Sequence, residues 1–416
     1  MSSNPGRAEP GWPPVVVAGG FQTGVVLMRD LARRGLTVYC IDCNLEQPAF
    51  RSIYGKAFAC PNPDESPSEW LAFMQDLAGK LGGKPVLIPS ADQFVSAIAQ
   101  HAGELEKCFV FCHAAMAVQA LLATKQRQYE MAGEHGLPVP RTRFVTSLDE
   151  LVEFASLASF PCLLKPLHVR EWEKVPAGHP LSNAKLVLAN SSGELIAKYR
   201  LVAEIKPEVV VQEIIEGPDT AKLVYLSCYS RTGERIGACM VRQLRTTPIY
   251  FGSASVVEPV SDPEANALCD RFLRGIAYAG LCEIEVKRDT RDGKVKMIEA
   301  NPRYSVTADA APYAGVDLGW LHYLDLIGQR VELAEWHGRP FRHIVLTRDF
   351  ATIRSYRQAG LLTWGQLLRS YRPPMAFFDF DLRDRRVTAA TLVTLARLLV
   401  GPPLRKLFPK RKTVPS

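Results

Sequence analysis

Short apolar runs alternate with amphipathic helical stretches through residues 15–111, and this rhythm restricts the fold more than any other feature. Val15–Ala18 is followed by a helical pattern to about Arg34, then by an apolar run over 36–42. A helical pattern over 67–81, the run Val86–Pro89, another helix over 92–101 and a run at 109–111 continue the alternation. Strand-length apolar runs separated by helices of this length build parallel sheets with crossover connections. The expected fold class is therefore α/β, beginning with a doubly wound parallel-sheet domain whose ligand edge lies at the strand C-termini. Gly19, Gly20, Gly24, Asp42 and Asp92 all fall on that edge.

The glycines invite comparison with a dinucleotide loop, since Asp42 lies about the right distance beyond them to meet a ribose. The loop reads Gly-Gly-x-x-x-Gly, however, and the dinucleotide fingerprint needs its middle glycine where the pyrophosphate approaches. A nicotinamide-dependent oxidoreductase using this domain is the alternative reading. Cys40 and Cys43 have C-x-x-C spacing, but no second pair at zinc spacing and no following redox helix accompany them.

At 416 residues the chain exceeds the length at which a single core stops growing, so several domains are expected. Residues 1–14 are polar and rich in Pro and Gly and read as a disordered leader. Ten scattered cysteines without a secretory signal fit a cytoplasmic protein with buried thiols. The formal charge is +7, of which residues 401–416 hold +5, leaving +2 for the other 400 residues. A nearly neutral body offers no footprint for nucleic acid.

The clearest chemistry lies in Met297-Ile298-Glu299-Ala300-Asn301-Pro302-Arg303. On a strand Glu299 and Asn301 face the same side, because side chains alternate with period two. Both are hard oxygen donors suited to Mg²⁺, and Arg303 adds a fixed cation. Glu283-Ile284-Glu285-Val286-Lys287 is a second alternating strand, and a turn at 289–293 allows Glu285 to come beside Glu299. Oxygen ligands plus Arg, without His or Cys, suggest a metal–phosphate site rather than zinc.

Further upstream, Lys165 ends a buried strand, Phe160-Pro161-Cys162-Leu163-Leu164-Lys165-Pro166, and carries its charge toward a cleft. Lys125 opens a helix, and Val211-Gln212-Glu213-Ile214-Ile215-Glu216-Gly217-Pro218-Asp219 leads from a strand into a turn. In order and spacing these segments, with Glu285 and Glu299–Arg303, resemble the ATP-grasp ligases over residues 15–330. The texture is closest to carboxylate–amine ligases of the D-aspartate ligase type.

The resemblance implies an ATP-grasp fold. It comprises an N-terminal domain over 15–122, a small α+β lid over 123–211 and a larger mixed-sheet domain over 212–330. Residues 331–416 are expected to form a separate appendage. It further implies ATP and Mg²⁺ as cofactors, with Mn²⁺ as a substitute, and an ADP-forming reaction that joins a small carboxylate to an amine. Lys125, Lys165, Gln212, Glu213, Ile214, Ile215 and Asp219 would bind ATP, with backbone groups of Glu213 and Ile215 reading the adenine edge and Asp219 the ribose. Glu285, Glu299 and Asn301 would hold the metal. Arg303 would stabilise the acyl phosphate, and Arg245 would hold a phosphate or substrate carboxylate. The family's Gly-rich phosphate loop is replaced over 168–183 by a segment bearing Trp, Glu, Lys and Pro, and Lys185 is the candidate to supply charge instead. A nucleotide-binding protein without catalysis is a further alternative.

Near the C-terminus, Thr388 to Val400 reads as a short, strongly apolar helix before a Gly-Pro-Pro break and the basic tail. A peripheral membrane anchor is one reading. Burial of the helix on its own sheet is preferred, because a helix apolar on most sides is usually buried.

Overall fold

The computed structural model describes residues 4–166, 181 and 186–399. The chain packs as two compact units, one formed by 1–123, 218–284 and 300–416, the other by 124–217 and 285–299.

In the first unit, β1 (Val15–Ala18), β2 (Val38–Asp42), β3 (Lys56–Ala59) and β4 (Val86–Pro89) form a parallel sheet of order β3-β2-β1-β4. All four residues of β1 are buried, as an inner strand covered on both faces requires. Gly-Gly-x-x-x-Gly proves to be a packing device. Gly19 has φ +117, and a Cβ there would lie 2.6 Å from Ser90 Oγ. A Cβ on Gly24 would meet the Gly19 carbonyl oxygen at 1.9 Å, so the helix Gln22–Arg33 can approach the strand only without one. Asp42 accepts the N–H of Gly20 at 2.6 Å and of Asn44 at 2.8 Å. Its carboxylate fastens the loop, which removes the ribose contact on which the nicotinamide reading rested. Burial pushes the Cys40 thiol well above its usual range, and all ten cysteines are unpaired thiols.

The second unit holds β5 (Thr142–Val145), β6 (Cys162–Pro166), β7 (Val187–Ala189) and β8 (Val209–Glu213), antiparallel in the order β5-β8-β6-β7. The helices Leu148–Leu157 and Ser192–Ala203 begin at Ser147 and Ser191, whose hydroxyls accept the N–H of Glu150 and Glu194. Leu151, Phe154, Leu164, Leu195, Val202 and Val211 are among the core residues of this unit.

The large sheet comprises β9 (Lys222–Tyr229), β10 (Arg235–Thr247), β11 (Ser253–Pro259), β12 (Gly280–Arg288), β13 (Val295–Asn301), β14 (Ala334–Glu335), β15 (Arg342–Ile344) and β16 (Met375–Phe377). Its order is β13-β12-β9-β10-β11-β15-β16, with β14 alongside β10. Three of these strands come from residues 331–416, so that segment is part of the sheet and not a separate appendage. His343 pairs with Val257 of β11 and Ala376 of β16, which extends the ladder across what the sequence suggested as a boundary.

The N-terminal sheet and the large sheet also share one hydrophobic core, in which Val17 and Leu27 join Val224, Val241, Trp320 and Tyr323. The helix Leu318–Leu326 is buried on nearly every side, as its largely apolar sequence, interrupted only by His322 and Asp325, leads one to expect. Residues 4–14 are not a disordered leader either. Trp12 stacks on Trp320 at 5.9 Å, Trp320 Nε1 donates to the Pro5 carbonyl at 2.6 Å, and Tyr323 donates to that of Pro13 at 2.8 Å. Apolar aromatics within the segment, outweighed in composition by Pro and Gly, hold it down.

Candidate functional site

In the unit of 124–217 and 285–299, Lys165 lies one residue before the end of β6, and its Nζ donates to Gln212 Oε1 at 3.2 Å. Gln212 turns its amide nitrogen to Thr142 Oγ1 at 2.8 Å, fixing which end of the amide faces the lysine. Tyr129, from the helix Lys125–Glu134, donates its hydroxyl to the Ile298 carbonyl at 2.7 Å. Burial pushes that hydroxyl up to about 12; a hydrogen bond with Gln212 opposes the rise and the charge of Glu299 adds to it. Lys165, Gln212, Tyr129 and Glu299 thus neighbour one another, with Lys125 half-exposed at the start of the same helix. Tyr129 and Thr142 were not singled out by sequence, because a phenol and a hydroxyl carry no motif of their own.

Strand pairing corrects part of the adenine-edge expectation. The N–H of Glu213 already donates to the Arg141 carbonyl at 2.9 Å, and that of Ile214 to the Pro161 carbonyl at 3.0 Å. The Ile214 carbonyl accepts from Arg291 at 2.8 Å. Arg291 and Lys296 both pair with the fully buried Asp289, which holds its carboxyl below the usual carboxylate range and fixes the turn between β12 and β13. Lys185 and most of the 168–183 segment lie outside the described residues.

At the end of β13, Ala300 is buried while Glu299 and Asn301 are half-exposed, so the two polar residues share a face as period two requires. In the first unit Asn301 Nδ2 donates to Glu283 Oε1 at 3.1 Å, and Ser305 Oγ donates to Glu283 Oε2 at 2.5 Å. Glu283 therefore orients the amide, with Asn301 Oδ1 lying 3.4 Å from an Arg303 nitrogen. The sequence expectation named Glu285 and passed over Glu283, although both lie on the same face of β12. Arg303 makes a two-point contact with Asp92, Nε to Oδ1 at 2.6 Å and Nη2 to Oδ2 at 3.1 Å. Asp92 opens the helix after β4, so the C-terminal edge of the parallel sheet is where Arg303 is held. Among the described residues no three His, Cys, Asp or Glu side chains gather as a metal centre; the candidate donors are two carboxylates and an amide.

Two expected residues are engaged in other contacts. The Arg245 side chain is only 2 % exposed, and Asp349 accepts from its Nε at 2.8 Å and Nη2 at 2.7 Å. Nη1 donates to Ser370 Oγ at 2.8 Å, and the guanidinium lies over the Tyr371 ring. With three of its five N–H donors committed in so enclosed a pocket, Arg245 ties β10 to the C-terminal segment, in place of the phosphate or carboxylate contact expected of it. Asp219 is buried too. It accepts the Tyr250 N–H at 3.2 Å and the Tyr356 hydroxyl, anchoring the 246–252 loop, while its Oδ1 is buried with no partner among the described residues.

Compared with known proteins, the chain matches no protein-family model. It is 27% identical over 243 residues to a D-aspartate ligase of Enterococcus faecium, covering 56% of this chain and 57% of that protein. It is 29% identical over 195 residues to a carbamoyl phosphate synthase large chain of Gemmatimonas aurantiaca, covering 45% and 16%. The chain therefore spans little more than half, and in the second case a sixth, of these curated relatives. In structure it is similar to the biotin carboxylase domain of a Hydrogenobacter thermophilus 2-oxoglutarate carboxylase, which was solved with MgADP, ADP and bicarbonate. That likeness has a TM-score of 0.59 at 17% identity over 78% of this chain and 71% of that one. An ADP complex of N5-carboxyaminoimidazole ribonucleotide synthetase gives 0.59 at 14% identity over 79% and 81%.

Proposed function

We propose that this chain, which has the ATP-grasp fold, is an ADP-forming ligase that joins a small-molecule carboxylate to an amine. ATP would phosphorylate the carboxylate with release of ADP, and the amine would then displace phosphate to leave an amide. The observation that carries the reading is the linked set at the end of β13, where Glu283 orients Asn301 and Asp92 orients Arg303.

Lys165, steadied by Gln212, acts as a point charge for nucleotide phosphates. Lys125, the backbone around Ile215 and Lys185 complete the nucleotide side. Glu285, Glu299 and Asn301 suit Mg²⁺ by donor chemistry, all being hard oxygens without His or Cys. A bound Mg²⁺ would neutralise phosphate charge there. Arg303 supplies a fixed cation for charge that develops on the acyl phosphate and on the adduct formed by amine attack. The unpaired cysteines agree with a reducing, cytoplasmic setting.

Incubation with Mg·ATP and a panel of amino acids as carboxylates and amines should release ADP and phosphate in step with amide, and only when both are present. Glu299→Gln keeps the shape of the side chain but removes its charge, and should cut Mg²⁺-dependent ADP release at least tenfold without altering the fold. Wild-type ADP release by that variant would refute the metal assignment. Thermal stabilisation by NAD but not by Mg·ATP would refute the ligase reading altogether. Lys165→Ala should raise the ATP Kd roughly 10–100-fold, as expected for a charged hydrogen bond of about 1.5–3 kcal/mol. Calorimetry showing unchanged affinity would remove Lys165 from the phosphate site.

A further inference from the structure

The C-terminal helix Arg385–Leu399 does not bury an apolar face on its own sheet as the sequence suggested. Thr391 Oγ1 donates to the Asp379 carbonyl at 2.6 Å and Thr388 Oγ1 accepts the Asp381 N–H at 3.1 Å, while Leu392 and Val393 stay exposed. The basic tail beyond it lies outside the described residues. A narrow recess opens instead at the C-terminal edge of the parallel sheet. It lies between the end of β4, the helix Met116–Leu122, β12 and the Pro302-Arg303 turn, all within the first unit. Its buried walls are apolar, built from Ile88, Ile98, Met116 and Leu281, and they leave room for about one water-sized group.

Gln119, His322 and Cys112 add polarity to this lining without charge. Gln119 Nε2 donates to the Ala279 carbonyl at 2.7 Å and sits against Gly280, where a Cβ would lie 2.7 Å from that nitrogen. The His322 imidazole is buried, and its Nδ1 has no partner among the described residues. Burial, aided by the charge of Arg231, pulls its pKa down to about 4, so the ring is uncharged at neutral pH. Burial also pushes the Cys112 thiol up, which keeps it protonated. The cation of the lining is Arg303, whose side chain is 18% exposed and held by Asp92, so it belongs to the rim. A carboxylate at the rim meets that charge, whereas a second ionic group further in would lose its water without a counter-charge. We propose that the recess receives the substituent of the carboxylate substrate and selects an acid whose side chain is short and uncharged. Met116, the longest flexible apolar side chain of the lining, sets the length admitted. The proposal rests on the ligase reading, in which Arg303 faces the carboxylate that ATP phosphorylates.

The test incubates the full-length protein with Mg·ATP, an acid and hydroxylamine. The acid takes the γ-phosphoryl group, ADP leaves, and the hydroxylamine nitrogen displaces phosphate to give a hydroxamate, so no particular amine is needed. The acids are both enantiomers of alanine, serine, norleucine and aspartate. Alanine or serine should exceed norleucine and aspartate by about tenfold or more in kcat/KM. Met116→Ala should raise norleucine relative to alanine by about tenfold and leave aspartate unimproved, a change of ratio that lost stability alone does not produce. Wild-type preference for norleucine or aspartate would overturn the proposal and leave the ligase reading standing, as would an unmoved ratio in Met116→Ala. If no acid yields hydroxamate, calorimetry with the same acids decides. Alanine or serine binding about tenfold tighter than norleucine, with the gap closed by Met116→Ala, would uphold the recess and count against the ligase reading. Equal or absent binding would overturn the proposal.

Discussion

Asp349→Ala is expected to destabilise the protein by about 3–5 kcal/mol, the cost of leaving a buried guanidinium without its counter-charge. The Asp349 side chain is 0 % exposed and takes two Arg245 donors, and it also accepts Ser255 Oγ at 2.7 Å and the Tyr371 hydroxyl. Removing it therefore strands several polar groups at once. The companion variant Arg245→Met with Asp349→Leu should recover most of the loss, because a well-packed apolar pair can replace a buried ion pair at little cost. Denaturant unfolding of both variants checks this. A loss below about 1 kcal/mol for Asp349→Ala would mean that water reaches the pair.

Arg303→Ala should lower turnover by about 10²–10³-fold while changing the ATP Kd far less, since its role is toward charge that appears after binding. The structure makes this separable from stability. Asp92 is 54 % exposed on its side chain, so the Asp92–Arg303 contact contributes little to folding, and unfolding should move by less than about 1 kcal/mol. Arg303→Lys would restore charge without the fork and should recover only part of the rate. If the loss instead appears as weaker ATP binding at unchanged turnover, Arg303 belongs to ground-state phosphate recognition.

What the sequence revealed and what it hid divide along the range of the interactions involved. Strands β1, β2 and β4 and the Glu299–Arg303 cluster follow from periodicity and local spacing, and motif order identified the fold. Arg245 read as a site residue because the resemblance implies a phosphate or carboxylate contact there; its partner is 104 residues further on. Asp92 and Arg303 are 211 residues apart, so each was visible as an edge residue but not their pairing. Glu283 was missed although its signal was present, because two glutamates on one strand face are equivalent until packing distinguishes them. The 331–416 segment looked detached because its strands, of two or three residues each, are too short to show a period.

The single core shared by the N-terminal sheet and the large sheet has a consequence for the history and the engineering of such a chain. Recombination breakpoints placed near 122 and 212, where motif boundaries suggest interchangeable modules, would sever Leu27 from Trp320 and the 4–14 segment from Tyr323. Homologous N-terminal regions could be exchanged only if the helix Leu318–Leu326 co-varied with them. Substrate preference encoded in that region would then be inherited together with the sheet beneath it, and selection would drift the two as one block.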